Sequence, residues 1–95
     1  MSRPPSFRVA DLSSCHLPGD VMRGLCEEIA AGERAGAVYD AEGCWLWVSP
    51  EKEPGPEEGA PAVCGVEQWA RRHGFEWVRL DQAGAFVPDL PRFNW

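Results

Sequence analysis

The chain has one lysine, one tyrosine, two histidines and no C-x-x-C pair. Each shortage removes a class of function. With cysteines at 15, 26, 44 and 64, the ligand spacing of a zinc knuckle is missing. Cys15 and His16 are adjacent, and one strand or loop rarely aims adjacent side chains at a single ion. The four cysteines therefore read as reduced, structural thiols, with a small Cys/His metal protein as a lesser reading. No apolar run approaches the roughly 20 residues that span a membrane. The opening Met-Ser-Arg-Pro-Pro lacks the apolar stretch of a signal peptide, so the expected location is cytoplasmic.

Positive charge is also scarce. Nine Lys and Arg stand against fifteen Asp and Glu, a net charge of −6. Direct nucleic-acid binding, which depends on a basic stripe, is excluded on that ground, whereas a protein partner with a basic surface fits. No paired-carboxylate motif, phosphate loop or metalloprotease motif is present. His16 lies beside Ser13, Ser14 and Cys15, but a nucleophile and its base need hydrogen-bond reach and a third, orienting group. Sequence neighbours seldom meet that need. No catalytic residue, metal ligand or cofactor is assigned, and the expectation is a protein that is not an enzyme.

What remains is a globular pattern. Ninety-five residues with 44% hydrophobic content make a single domain, 1–95, with a modest core. Residues 6–10 alternate, with Phe7 and Val9 on one face, and predict a first strand followed by a loop over 11–19. Asp20 then reads as an N-cap, and Val21, Leu25 and Ile29 set the stripe of a helix that Gly32 can stop. Gly24 inside that helix suggests a close helix–sheet contact. Residues 37–40 and 44–48 predict a hairpin around Gly43. Pro61 opens a second helix over 62–73, with Gly74 as its stop and His73 in its last turn. Residues 75–80 predict a fourth strand, and a short C-terminal strand follows. The order β-α-β-β-α-β is that of a ferredoxin-like split βαβ fold of the α+β class, an antiparallel sheet with both helices on one face. Val9, Val21, Leu25, Ile29, Val38, Leu46, Val48, Val66, Val78 and Leu80 are the expected core.

Between the hairpin and the second helix, residues 49–60 hold three prolines and Glu51, Glu53, Glu57 and Glu58. The stretch has nothing to bury and reads as a solvated acidic loop. With Asp40 and Glu42 it offers carboxylates to a basic partner. Tryptophan is the opposite case, with five in the chain. Strand alternation puts Trp45 and Trp47 on the sheet face away from the helices, and Phe75 and Trp77 beside them. An RNA-recognition sheet stacks bases on such a face, but with basic residues around it. The bland expectation is that Leu90, Phe93 and Trp95 of the tail fold over it as a second small core. The other is an interface, either to a second copy or to a host protein.

Three segments carry a family resemblance: Ser14-x-His16-Leu17-Pro18, Gly43-x-Trp45-Leu46-Trp47-Val48, and the ending Trp77-Val78-Arg79-Leu80-Asp81-x-x-Gly84 … Leu90-Pro91-x-Phe93-x-Trp95. The chain resembles a family of small uncharacterised bacterial domains found mainly on phages, plasmids and other mobile elements. The Pro/Glu stretch at 50–59 is longer than the family pattern, and Cys15 replaces a small residue. The resemblance transfers no catalytic residue and implies a mobile-element accessory protein in a bacterial host cell. Taken with the charge, it leads to an expected function: binding and blocking a host defence complex, of anti-CRISPR or anti-restriction type. An acidic surface (Asp40, Glu42, Glu51, Glu53, Glu57, Glu58) would occupy a basic nucleic-acid site, with Trp45 and Trp47 as anchors. The alternative is a homodimeric interaction module that uses the aromatic face.

Overall fold

The computed structural model describes residues 6–40, 42–48 and 61–95. They form β1 (Val9–Ser13), one 3₁₀ turn (Ser14–His16), α1 (Gly19–Ala30), β2 (Gly36–Asp40), β3 (Gly43–Trp47), α2 (Pro61–Arg72) and β4 (Trp77–Asp81). The sheet order is β1-β4-β3-β2. β3 runs antiparallel to both neighbours, while β1 and β4 are parallel. The fold is α+β with a mixed four-stranded sheet and two helices.

An all-antiparallel sheet would oppose the first and last strands, so that expectation is corrected. Packing supplies the reason. The parallel register sets Ala10 beside Val78 and Leu12 beside Leu80. All four are buried and face the helices together with Cys44 and Leu46 of β3. The expected C-terminal strand reduces to a single parallel bridge between Leu12 and Ala85. There the Ser13 N–H donates to the Ala85 carbonyl at 2.8 Å and the Ala85 N–H to the Asp11 carbonyl at 3.2 Å, closing the outer edge of β1.

The first strand is displaced from 6–10 to Val9–Ser13. Moving inward by one residue exchanges the faces of a strand. Ala10 and Leu12 point to the core, and the larger Phe7 and Val9 are exposed. Val9 therefore leaves the expected core. So does Val38 on the edge strand β2, all of whose residues are exposed, and Val21 is only partly buried. Leu25, Ile29, Leu46, Val48, Val66, Val78 and Leu80 are buried as expected.

α1 buries Met22, Leu25, Cys26 and Ile29; α2 buries Val63, Val66, Trp69 and Ala70. Both sets join one core cluster with the inner face of the sheet. α1 begins two residues earlier than expected. Pro18 occupies its N-cap without a side-chain bond, and Asp20 sits in the first turn, where its charge suits the helix dipole. Gly32 and Gly74 adopt φ values of 78° and 76°, the left-handed conformation that ends a helix. Gly24 makes no close contact, because a Cβ there would meet nothing within 4 Å. Arg34 ties the helices together, its guanidinium 3.1 Å from Glu28 of α1 and 3.2 Å from Glu67 of α2. Among the described residues no helix is long and apolar enough to cross a membrane.

Candidate functional site

The segments that carried the resemblance divide into two groups with different jobs. The first group clasps the chain shut. His16 is fully buried in the 3₁₀ turn. Its Nδ1 lies 2.7 Å from the Pro91 carbonyl, and its Nε2 accepts the Val87 N–H at 3.0 Å. A carbonyl can only accept and a backbone N–H can only donate, so these partners assign the neutral ring with its proton on Nδ1. Phe86 meets the ring edge-on at 5.4 Å. Further along, the Phe93 N–H donates to the Cys15 carbonyl at 2.7 Å. The Trp95 indole N–H donates to the Leu17 carbonyl at 2.8 Å, with its ring over Gly19. Leu90 enters the core.

The Asp-x-x-Gly turn that starts this tail has a local cause. The Asp81 carboxylate accepts the Ala83 N–H at 2.7 Å, and the Gly84 N–H returns to the Asp81 carbonyl. A Cβ on Gly84 would lie 2.2 Å from the Leu12 carbonyl oxygen, so only glycine lets the tail run against β1. Thus Phe93 and Trp95 fasten to the segment before α1 and Leu90 joins the main core, instead of covering the tryptophans. The expected second core over the sheet does not form, because the His16 and Leu17 contacts take the tail to another side of the molecule.

His16 has no ring nitrogen left for an ion or a substrate, so its role is structural. Among the described residues no group of three or more His, Cys, Asp or Glu side chains is placed to hold a metal. Cys26 and Cys44 are buried and free, Cys15 and Cys64 half-buried and free. Burial pushes the Cys44 thiol up to about 12, and burial also raises Cys26 beside it. Both are poor nucleophiles.

The second group builds the outer face of the sheet. Trp45 and Trp47 of β3 point there, joined by Trp77 of β4, paired with Trp47 in the ladder. The rings of Trp47 and Trp77 are 5.1 Å apart, those of Trp45 and Trp77 6.4 Å, and Phe7 meets Trp47 edge-on at 5.7 Å. Ser6, Phe7, Val9, Ala37, Trp45 and Trp77 surround an open depression of about 520 Å³ that crosses all four strands. Phe75, expected on this face, precedes β4 and stacks instead on Trp69 of α2. Phe7, Val9 and Ala37 were not legible as site residues. Their place depends on the displaced register of β1 and on β2 lying at the edge.

The same face also carries charge, Asp11 and Arg79 standing in one row with Trp45 and Ala37. Tyr39 donates its hydroxyl to Asp81, and its ring lies over Gly43, where a Cβ would come within 2.7 Å. That contact, rather than a turn conformation, is what Gly43 provides. Arg79 bridges Asp11 at 3.4 Å and Asp81 at 3.3 Å. The Asp81 carboxyl is held below its ordinary range, first by the Tyr39 hydroxyl and then by the Ala83 N–H. Tyr39 is pushed up to about 12 by burial and by that bond. Asp40 ends β2, and Glu42 accepts from Gln82 beside this cluster. Among the described residues, Arg79 in this cluster stands beside Asp11 and Asp81, with Glu42 on Gln82 nearby. Two expected site residues, Trp45 and Trp47, lie on the aromatic part of the face, and Asp40 and Glu42 lie toward its acidic end. Glu51, Glu53, Glu57 and Glu58 fall outside the described residues.

Residues 9–95 match the model of the Family of unknown function (DUF5983) C-terminal domain. The chain belongs to this family. The matched region opens on the first residue of β1 and takes in the clasp, the hairpin and the tryptophans of this DUF5983 domain. No solved structure matches the chain.

Proposed function

We propose that this domain acts by binding, without chemistry of its own, and that its contact surface is the outer sheet face with its acidic end. The observation that carries the reading is the cluster of Trp45, Trp47, Trp77 and Phe7 on a face that the helices and the tail leave open. Tryptophan is over-represented among residues that dominate binding energy. A partner with a basic surface is favoured by the net charge of −6 and by the carboxylates around Arg79. The target class that joins these features is a host defence complex of anti-CRISPR or anti-restriction type, whose basic nucleic-acid site the domain would occupy as a mobile-element protein in the bacterial cytoplasm.

The test is a phage or plasmid challenge of bacteria with an active CRISPR or restriction system, with and without the expressed domain. Wild type should restore infection. Ala37→Arg, at an exposed site on the rim, should abolish the effect, and Glu51, Glu53, Glu57 and Glu58 changed to Gln should weaken it. No effect of wild type across a panel of systems would remove the defence reading. A second reading, a homodimer through the same tryptophans, is favoured by the exposed apolar area alone. Sedimentation that reports dimers dissociated by Ala37→Arg would put it first.

A further inference from the structure

We propose that the free edge of β2 pairs with the same edge of a second copy, antiparallel and about a two-fold axis beside Ala37. Such pairing uses the rim of the sheet and leaves the outer face free for its own partner.

The two rims of the sheet are finished differently. Along β1 the outer edge is closed by Ala85, whose N–H and carbonyl bond to Asp11 and Ser13. Among the described residues nothing plays that part for β2, which ends the strand order with all five of its residues exposed. It has neither proline nor lysine, the residues that commonly blunt an exposed edge. Its bulge lies past Val38, so Gly36, Ala37 and Val38 keep their register with β3.

The ladder fixes which backbone groups face outward. The Trp47 N–H donates to the Ala35 carbonyl at 3.2 Å. With Ala37 opposite Trp45, antiparallel alternation makes 35 and 37 the residues bonded to β3. Gly36 and Val38 therefore turn their N–H and C=O groups away from the sheet, and no bond is made there.

These groups form a palindrome. Turned about an axis beside Ala37, Gly36 of one copy comes opposite Val38 of the other. Both Gly36–Val38 pairs then exchange their N–H···O bonds, and none of the outward groups is left over.

Side chains fit the same axis. Ala37 meets its own counterpart at a non-bonded position, where cross-strand side chains come closest and methyl groups meet without crowding. On the other face Val38 stands across from Gly36, a branched side chain against none, next to the Ile29 side chain that reaches this glycine. Gly36–Tyr39 carries no charge, so the paired stretch sets no like charges together. A foreign strand would match the backbone alone, whereas the palindrome and these side chains belong to this chain. The axis runs perpendicular to the sheet. One continuous sheet would result, with both aromatic faces on the same side.

Sedimentation of the whole chain over a concentration series, combined with amide exchange by NMR, tests the pairing. Dimer should rise with concentration. The Gly36 and Val38 amides should gain protection with it, while that of Ala37 is protected throughout. Each copy carries −6, so added salt should favour the dimer. Val38→Pro removes one outward N–H and no bond to β3, a change edge strands tolerate. It should keep the thermal transition and stay monomeric. Dimerisation of Val38→Pro as strong as wild type overturns the proposal. So does a wild type still monomeric at ~1 mM, where even weak pairs associate. A dimer that shields Trp47 and Trp77 from a quencher, yet leaves the Gly36 and Val38 amides open, forms through the outer face and overturns it too. If wild type stays monomeric while a Thr-Val repeat peptide protects the two amides, the edge takes foreign strands and the second copy falls. Should Val38→Pro fail to fold, protection of the two amides in wild type decides alone. A chain that never dimerises leaves the binding role of the outer face to the challenge assay, so the two readings fail separately.

Discussion

The Nδ1 of His16 and the carbonyl oxygen of Pro91 are 2.7 Å apart, across 75 residues of chain. With Val87 on the other ring nitrogen, this contact makes one buried imidazole the fastener between the start of the domain and its tail.

Removing that ring should therefore be costly. His16→Ala leaves the Val87 N–H and the Pro91 carbonyl without their partner and opens a cavity, for a loss of about 3–5 kcal/mol in denaturant unfolding. Nitrogen NMR of the wild type should report the neutral ring protonated at Nδ1. A ring protonated at Nε2 instead would contradict the clasp.

Glycine substitutions should separate in sign. Gly84→Ala drives a methyl group into the Leu12 carbonyl and should destabilise by about 2 kcal/mol or more. Gly24→Ala and Gly65→Ala lie inside helices with open space around them and should each stabilise by about 0.5–1 kcal/mol. Thermal melts of the three variants check this directly.

Tyr39 is the only tyrosine, so its ionisation can be followed by absorbance without ambiguity. Its midpoint should fall near 12, above the ordinary 10, and Asp81→Asn should lower it. The neutral hydroxyl is favoured in the fold, so its contribution to stability is full below pH 10 and lost as pH rises through about 12. For Asp81 the sign is opposite. Its folded value is depressed, so its contribution is present above the usual carboxylate range and lost as pH falls through the lower folded value. Tyr39→Phe should flatten both limbs of the stability–pH curve.

Thiol labelling should also divide the chain. Cys15 and Cys64 should react in the native protein, and Cys26 and Cys44 only once denaturant opens the core. Fast native reaction at Cys44 would contradict its burial and its raised pKa.

The helices and the hairpin were legible in the sequence because their signals are local: the stripe of Leu25 and Ile29, the stops at Gly32 and Gly74, the alternation in Cys44-Trp45-Leu46-Trp47. The placement of β1 was not. Phe7 and Val9 are better strand-core residues than Ala10, yet pairing with Val78 and Leu80 takes Ala10 and Leu12 inside. Non-local pairing decided the register, and with it the side of the sheet on which Phe7 stands. For the site, Trp45 and Trp47 were visible from alternation alone. The groove was not, since its walls come from β1 and β2, and its openness depends on where the tail goes. Nothing local marks the tail's choice of His16 and Leu17 over the tryptophans.

A strand made first but paired only with the last one imposes an order on folding. During synthesis β2 and β3 can zip together soon after they emerge, whereas β1 waits for β4 and the tail. Until then the imidazole of His16 and the carbonyl of Leu17 have only water or passing neighbours, their eventual partners lying 75 and 78 positions downstream. Such long-range closure slows folding. The nascent chain must therefore carry its sticky aromatic hairpin, without a completed core beneath it, until β4 and the segment through Trp95 are made.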